Sequence, residues 1–221
     1  MADNEEQIQK VLFGHVGNYE VVIITPIKSA FDKCVKSLCV EESFKDCFFE
    51  NAKFETVKGR KGIIIYSPQG IASQDCICLF RNAEIIFFGY AGSLADDIVV
   101  GTKIEVDTVI DNETGNIVEG LHCLRSDYTR AVCGYSPCML GELADQYGEK
   151  ARSKNGTIID METAYCATVA LKNLCKFTSW VVVSDIPNTV NFWELSEDEM
   201  KLFKQAKNEV INDIIEYAKT L

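Results

Sequence analysis

Histidine is almost absent from this chain, with two residues among 221. That scarcity excludes a histidine-rich metal site. Basic residues are outnumbered as well: 22 Lys and Arg face 33 Asp and Glu, for a formal net charge of −11. A polyanion is repelled by such a charge, so no nucleic-acid partner is expected. The short run Lys58-Gly59-Arg60-Lys61 reads as a solvated turn. No apolar run reaches the ~18 residues of a membrane span, and no membrane partner is expected. The opening stretch MADNEEQIQK is polar and acidic, unlike a secretory leader. The ten cysteines therefore read as reduced thiols of a cytoplasmic protein. Cys76-Ile77-Cys78 lacks the two-residue gap of a zinc ribbon, and no second pair or nearby histidine completes a site. Both cysteines read as small buried residues on a helix.

What is present fits one α/β domain over residues 1–221, with 1–18 as an N-terminal extension that carries a short helix. Apolar residues make up 47 % and charged residues 25 %, an ordinary globular balance. Tyr19–Thr25 is a continuous β-branched run of the kind buried on both faces, and Pro26 ends it. Phe31, Val35 and Leu38 carry helical spacing. KFETV and GIIIYS flank a turn and read as a hairpin. A helix is predicted from Gly70 to Phe80, then a strand over Ala83–Leu94 that runs into a glycine turn. Gly101–Asp111 reads as a strand, Asn112–Asn116 as a turn, and GLHCLRS and RAVCGYS as short strands. A helix closed by Gly156, the strand TIIDM, the helix from Glu162 and the strand Phe177–Asp185 follow. A long C-terminal helix opens on a Ser196/Glu199 capping box. The alternation predicts a three-layer α/β fold: a mixed, mostly parallel sheet flanked by helices.

In such sheets ligands bind at the carboxyl ends of strands. Three ends are unusual here: Gly89-Tyr90-Ala91-Gly92-Ser93, Asp160-Met161-Glu162 and Ser184-Asp185. Parallel strands would bring all three to one edge and into one cleft. Each has a plain structural reading too. The glycines can form a tight turn, Asp160 a helix N-cap, and Asp185 a turn before Ile186-Pro187-Asn188.

FFGYAGSLADDIVVGTKIEV, IIDMETAYCATVA and VVVSDIP resemble, in order, three signatures of the nucleoside phosphorylase and methylthioadenosine/adenosylhomocysteine nucleosidase superfamily. The 23-residue step from Glu162 to Asp185 also resembles the nucleosidases, and SPQGIASQDCICLF resembles the Gly-Ile-x-x-Ser helix of the phosphorylases. The resemblance covers most of Val21–Leu221. It implies the nucleoside phosphorylase-like fold and cleavage of the N-ribosyl bond of a purine or purine-like nucleoside, by phosphate or by water. By that resemblance Asp185 is the general acid at the purine N7, Glu162 grips the ribose hydroxyls and Met161 packs on the sugar. Gly89, Ala91, Gly92 and Ser93, with Lys28, form the nucleophile or phosphate loop. Ser184 and Met139 face the base, Met139 having ordinary helix packing as its alternative. Phe192 and Trp193 form a lid or a subunit interface. No metal or organic cofactor is implied, and a homo-oligomer is.

The chain also departs from the pattern. TPIKSAFDK lacks the glutamate of the hydrolytic members and has Lys28 where the phosphorolytic members place an arginine. Phe87 and Val181 occupy two further arginine positions. Arg125 and Arg130 read as surface residues. The losses keep a second expectation open, a catalytically silent nucleoside-binding or storage protein. A dinucleotide-binding site is excluded, because ITPIKSA offers no Gly-x-Gly-x-x-Gly after the first strand.

Overall fold

The chain is described by a computed structural model covering residues 2–111, 114–138 and 142–221. Its strands are β1 (Val21–Thr25), β2 (Val40–Phe44), β3 (Asn51–Glu55), β4 (Lys61–Tyr66), β5 (Glu84–Ser93), β6 (Lys103–Ile110), β7 (Ile117–Val118), β8 (Thr129–Tyr135), β9 (Ile158–Asp160) and β10 (Lys176–Asp185). Its helices are α1 (Ala2–Phe13), α2 (Lys28–Ser37), α3 (Glu142–Arg152), α4 (Thr163–Lys172) and α5 (Glu197–Thr220), with 3-10 turns at Gly70–Cys76 and Phe192–Glu194. None of the described helices is long and apolar enough to cross a membrane.

The apolar run of β1 dictates its place. All five residues are buried, and the strand pairs in parallel with β4 on one side and β5 on the other. β10 adds a fourth parallel strand beside β5. β3 and β2 extend the β4 edge antiparallel. From β10 the sheet curls through β6, β8 and β9 and returns to β5, so five strands close a ring around the end of β5.

Alternation along the central strands sends successive side chains to opposite faces. Val22, Ile24, Ile85, Phe87, Val181 and Val183 meet Cys76 at the end of the first 3-10 turn, Ile77 just after it, and Ala164, Cys166, Ala167 and Ala170 of α4. Val21, Ile23, Phe88, Trp180 and Val182 meet Ala30, Phe31 and Cys34 of α2 and the buried stripe of α5. That stripe, Phe203, Ala206, Val210, Ile211, Ile214, Ile215 and Ala218, keeps three- and four-residue spacing. The result is a three-layer α/β fold with a mixed sheet. The extension before β1 joins the core through Phe13, and His15 Nε2 donates to Asn51 Oδ1 at 2.9 Å; the amide side of Asn51 is held by the carbonyls of Phe13 and Phe49.

Several expectations change. The predicted helix after Gly70 is a 3-10 turn, tightened by the Ser73 hydroxyl donating to the carbonyls of Gly70 and Pro68. Only Cys76 of the cysteine pair lies on it and is buried; Cys78 lies beyond its end and is exposed. GLHCLRS is not a strand. The fully buried Glu105 carboxylate accepts the N–H groups of Leu124 and Arg125 at 2.6 and 2.8 Å, so a side chain satisfies donors that a ladder would otherwise use. The short strands β2 and β7 escape the pattern reading. Asn112, in the predicted turn before β7, lies outside the described residues. The capping box at Ser196 and Glu199 forms as the sequence predicts.

Candidate active site

The corner between β9 and α4 is built by Asp160. Its side chain is buried, and Oδ1 accepts the backbone N–H of Thr163 at 3.0 Å and that of Glu162 at 3.3 Å. The Thr163 hydroxyl donates to Oδ2, and the Cys133 thiol lies 3.5 Å from Oδ1. Asp160 thus serves the N-terminus of α4, but from two residues before the N-cap it was expected to be: that position is Glu162, whose side chain makes no capping bond. The fixed backbone turns Glu162 into a cavity. The Glu162 carboxylate is held from across the chain by Gly70, whose N–H donates to Oε1 at 2.6 Å.

Asp185 ends β10 on the other side of that cavity. The register between β10 and β5 shifts between Val183 and Asp185, so Ser184 bulges and Asp185 is re-aimed, a common device beside sites. The Ser184 hydroxyl donates to Asp185 Oδ1 and lies 3.4 Å from the carbonyl of Ala91. Gly92 makes the room: a Cβ there would stand 3.2 Å from Asp185 Oδ2 and 3.0 Å from Pro187 Cγ.

The cavity between them encloses about 270 Å³, near the lower end of the ~300–1,000 Å³ of small-molecule sites. Asp160, Met161 and Glu162 line it from the β9 corner, Ala91 and Gly92 from β5, and Ser184 and Asp185 from β10. Pro26 and Ile27, Gln69, Ser136 and Cys138 add rim. Tyr90, Pro187, Phe192 and Trp193 supply an apolar and aromatic wall, with the polar Asn191 beside them. Phe192 stacks on Tyr90 with centroids 6.4 Å apart and meets Phe203 at 5.3 Å, while Trp193 is 58 % exposed at the mouth.

Three carboxyl groups with no cationic neighbour in the lining set the electrostatics. Among the described residues no Lys, Arg or His lines the cavity. Burial pushes the Asp185 carboxyl above its ordinary value, against the pull of the Ser184 hydroxyl. Burial, and then the charge of Asp160, push Glu162 up, while the N–H groups of Gly70 and Met161 pull it down. Burial raises Asp160 as well, opposed chiefly by Thr163. Asp160 has the larger set of donors, so of the two it ionises first.

The sequence-predicted residues divide. Asp185, Glu162, Met161, Ala91, Gly92 and Ser184 line one cavity. Gly89, Ser93 and Lys28 do not. Gly89 and Ser93 belong to β5, which continues as a strand where a glycine turn was predicted. Val181 pairs with Gly89, Val183 with Ala91, and Ile158 with Ser93. These backbones are committed to ladders, and the Ser93 hydroxyl donates to the carbonyl of Ala95. Lys28 Nζ is taken by Glu50 at 2.7 Å and Asp32 at 3.0 Å, beside the Phe31 and Tyr66 rings. Met139 lies outside the described residues. Arg125 pairs with Asp127 and Asp213, and Arg130 with Glu105. The convergence has a different origin from the one expected, too. β9 runs antiparallel to β5, with Gly92 opposite Ile159, so its end does not share a parallel edge. It arrives at the cavity because β9 is only three residues long and lies across the tip of β5. The sequence reading had Gly70 as a helix start and missed its part in holding Glu162; its positive φ of 76° is the signal that only the structure supplies.

No protein-family model matches the chain. No curated protein sequence matches it. Solved structures do. The Campylobacter jejuni 5′-methylthioadenosine/S-adenosylhomocysteine nucleosidase superposes with a TM-score of 0.75 at 13 % identity, covering 92 % of this chain and all of that one. A putative nucleosidase of the same kind from Borrelia burgdorferi, bound to adenine, gives 0.69 at 15 % identity over 91 % of this chain and all of its own. A futalosine hydrolase mutant from Helicobacter pylori gives 0.64 at 12 % identity over 88 % and 99 %. The chain therefore has the fold of these proteins, nearly end to end.

Proposed function

We propose that the protein cleaves the N-glycosidic bond of a purine or purine-like nucleoside, with water as the acceptor. One observation carries this reading: Asp185 at the end of β10 and Glu162 at the start of α4 line one nucleoside-sized cavity with Met161 beside them. Breaking a ribosyl C–N bond leaves positive charge on the sugar and negative charge on the base. A buried carboxyl with a raised pKa is better suited to protonate the departing base than an exposed one, and burial shifts Asp185 in that direction. A carboxylate on the ribose side suits the 2′- and 3′-hydroxyls through charge-assisted hydrogen bonds. Asp160, ionised behind it, stabilises the developing sugar cation from within a low-dielectric wall. Aromatic Tyr90, Phe192 and Trp193 offer stacking surface to a base.

Water is favoured over phosphate because the lining supplies three carboxyl groups and, among the described residues, no cation. Lys28, the candidate phosphate ligand, is engaged by two acids. The names of the structural neighbours, nucleosidases and a hydrolase, support the same choice. A second reading, a nucleoside-binding protein without turnover, is favoured by one observation: the loop after β1 brings only Pro26 and Ile27 to the cavity, and no carboxylate that would activate water.

The deciding experiment incubates the protein with adenosine, inosine, methylthioadenosine and uridine, with and without phosphate, and measures free base. Release from a purine nucleoside at a rate independent of phosphate is the expected result. Release only with phosphate overturns the choice of acceptor, and tight binding without release establishes the second reading.

A further inference from the structure

We infer that Gly70 is a positioning residue for Glu162, and that its backbone N–H sets the preference for a ribose over a 2′-deoxyribose. This rests on the reading of Glu162 as the ligand of the sugar hydroxyls. Gly70 and Glu162 are 92 positions apart, and the 2.6 Å hydrogen bond between them joins the 3-10 turn to the β9–α4 corner. The φ of Gly70 is +76°, a conformation that side chains rarely adopt. A Cβ at that position would also stand 3.6 Å from Met161 Cε. One glycine thus clamps the carboxylate and borders the methionine that lines the cavity beside it.

The clamp has a chemical consequence. Glu162 is pushed towards its neutral form by burial and by Asp160, and the Gly70 N–H is one of two backbone donors that oppose this. A carboxylate accepts from both sugar hydroxyls; a neutral carboxyl accepts more weakly and has one oxygen occupied by its proton. Without the Gly70 donor the group would ionise at higher pH and swing free of its fixed orientation. The loss falls on ligands that offer a 2′-hydroxyl and spares those that lack one. A general loosening of the fold would depress both alike.

Two changes test this. Gly70→Ala forces the chain out of the positive φ and takes the N–H off Glu162. An ester in place of the Gln69–Gly70 peptide bond removes the N–H alone and adds no side chain, which keeps the test open if the alanine variant misfolds. The readout is the ratio of kcat/KM for a nucleoside to that for its 2′-deoxy analogue, across pH. In both variants the ratio is expected to fall about tenfold, the scale of one charge-assisted hydrogen bond, with the acidic limb of the ribonucleoside profile moved to higher pH. A folded ester variant with the wild-type ratio and an unmoved limb overturns the inference. Failure of the wild type to cleave any nucleoside, or to prefer ribose, strikes instead at the underlying reading of Glu162.

Discussion

Replacing Asp185 by Asn keeps the size of the side chain and removes its proton. Ser184 can still donate to the amide oxygen, and Gly92 still provides the space, so the fold has no reason to change. General acid catalysis contributes ~10²–10⁴-fold, which is about 3–5.5 kcal/mol of barrier at 1.36 kcal/mol per decade. The site places the expectation in the upper half of that range. Asp185 ends β10, whereas the other two lining carboxyl groups sit at the β9 corner with partners of their own, Gly70 on Glu162 and Thr163 on Asp160. The assay is single-turnover release of base from a purine nucleoside, compared with release of nitrophenolate from a nitrophenyl riboside. Nitrophenolate departs without a proton. Asp185→Asn should therefore lose about three decades on the purine and little on the nitrophenyl compound. Stability moves the other way. The folded pKa of Asp185 is raised above its unfolded value of 3.8. Its contribution to stability is then full below the unfolded pKa and is lost as pH rises through the folded pKa. Asn does not titrate, so the variant should gain on the wild type in Tm from acid to neutral pH. In wild-type kcat the same ionisation gives an alkaline limb that the variant lacks. Equal losses on the two leaving groups, or an unchanged purine rate, would refute the assignment.

Two further perturbations separate site from scaffold. Gly92→Ala introduces a Cβ 3.0 Å from Pro187 Cγ and 3.2 Å from Asp185 Oδ2; the carboxyl must shift, and kcat should drop more than tenfold while overpacking costs about 1–3 kcal/mol in denaturant unfolding. Ser196→Ala removes the side-chain half of the capping box at the start of α5, the hydroxyl that accepts the Glu199 N–H, and leaves the backbone N–H that donates to the Glu199 carboxylate; it should lower stability by about 0.5–2 kcal/mol, read as a reduced Tm, with base release unchanged.

How much was legible in the sequence depends on the range of the interaction. β1 and the α5 cap are local, and their residues state them outright: four apolar β-branched positions in a row before Thr25, and Ser196 three residues before Glu199. The β3–β4 hairpin and the β9–α4 corner are nearly as local. Asp160 and Glu162 could be read as a structural acid beside a site acid from their place at a strand–helix junction. What could not be read is pairing at a distance. Gly89 and Gly92 look like a turn until β10 and β9 are known to pair with them on either side. Lys28 looks like a phosphate ligand until Glu50, 22 residues away in sequence, is found on its ammonium. Gly70 looks like the start of a helix until Glu162 arrives from 92 residues away to take its N–H.

Those long-range pairings also explain why the cavity divides its protons as it does. Asp160 and Glu162 are two residues apart at one corner, both buried, and two charges at such a corner repel strongly in a low dielectric. The fold breaks the symmetry through donors. Thr163 gives Asp160 a hydroxyl and an amide, Cys133 of β8 adds a thiol, and Glu162 adds its own N–H. Glu162 receives the Gly70 N–H from the 3-10 turn between β4 and β5. One acid is therefore favoured in its ionised form by several donors, and the other depends on two backbone N–H groups, one of them from the distant Gly70. Hydroxyl groups of a ligand that donate to Glu162 would complete its hydrogen bonding and favour its ionised form. Binding would then release a proton, and the amount released should vanish in Glu162→Gln. Calorimetry of nucleoside binding in buffers of different ionisation enthalpy measures that proton directly, and equal heats in every buffer for the wild-type protein would show that Glu162 is already ionised before the ligand arrives.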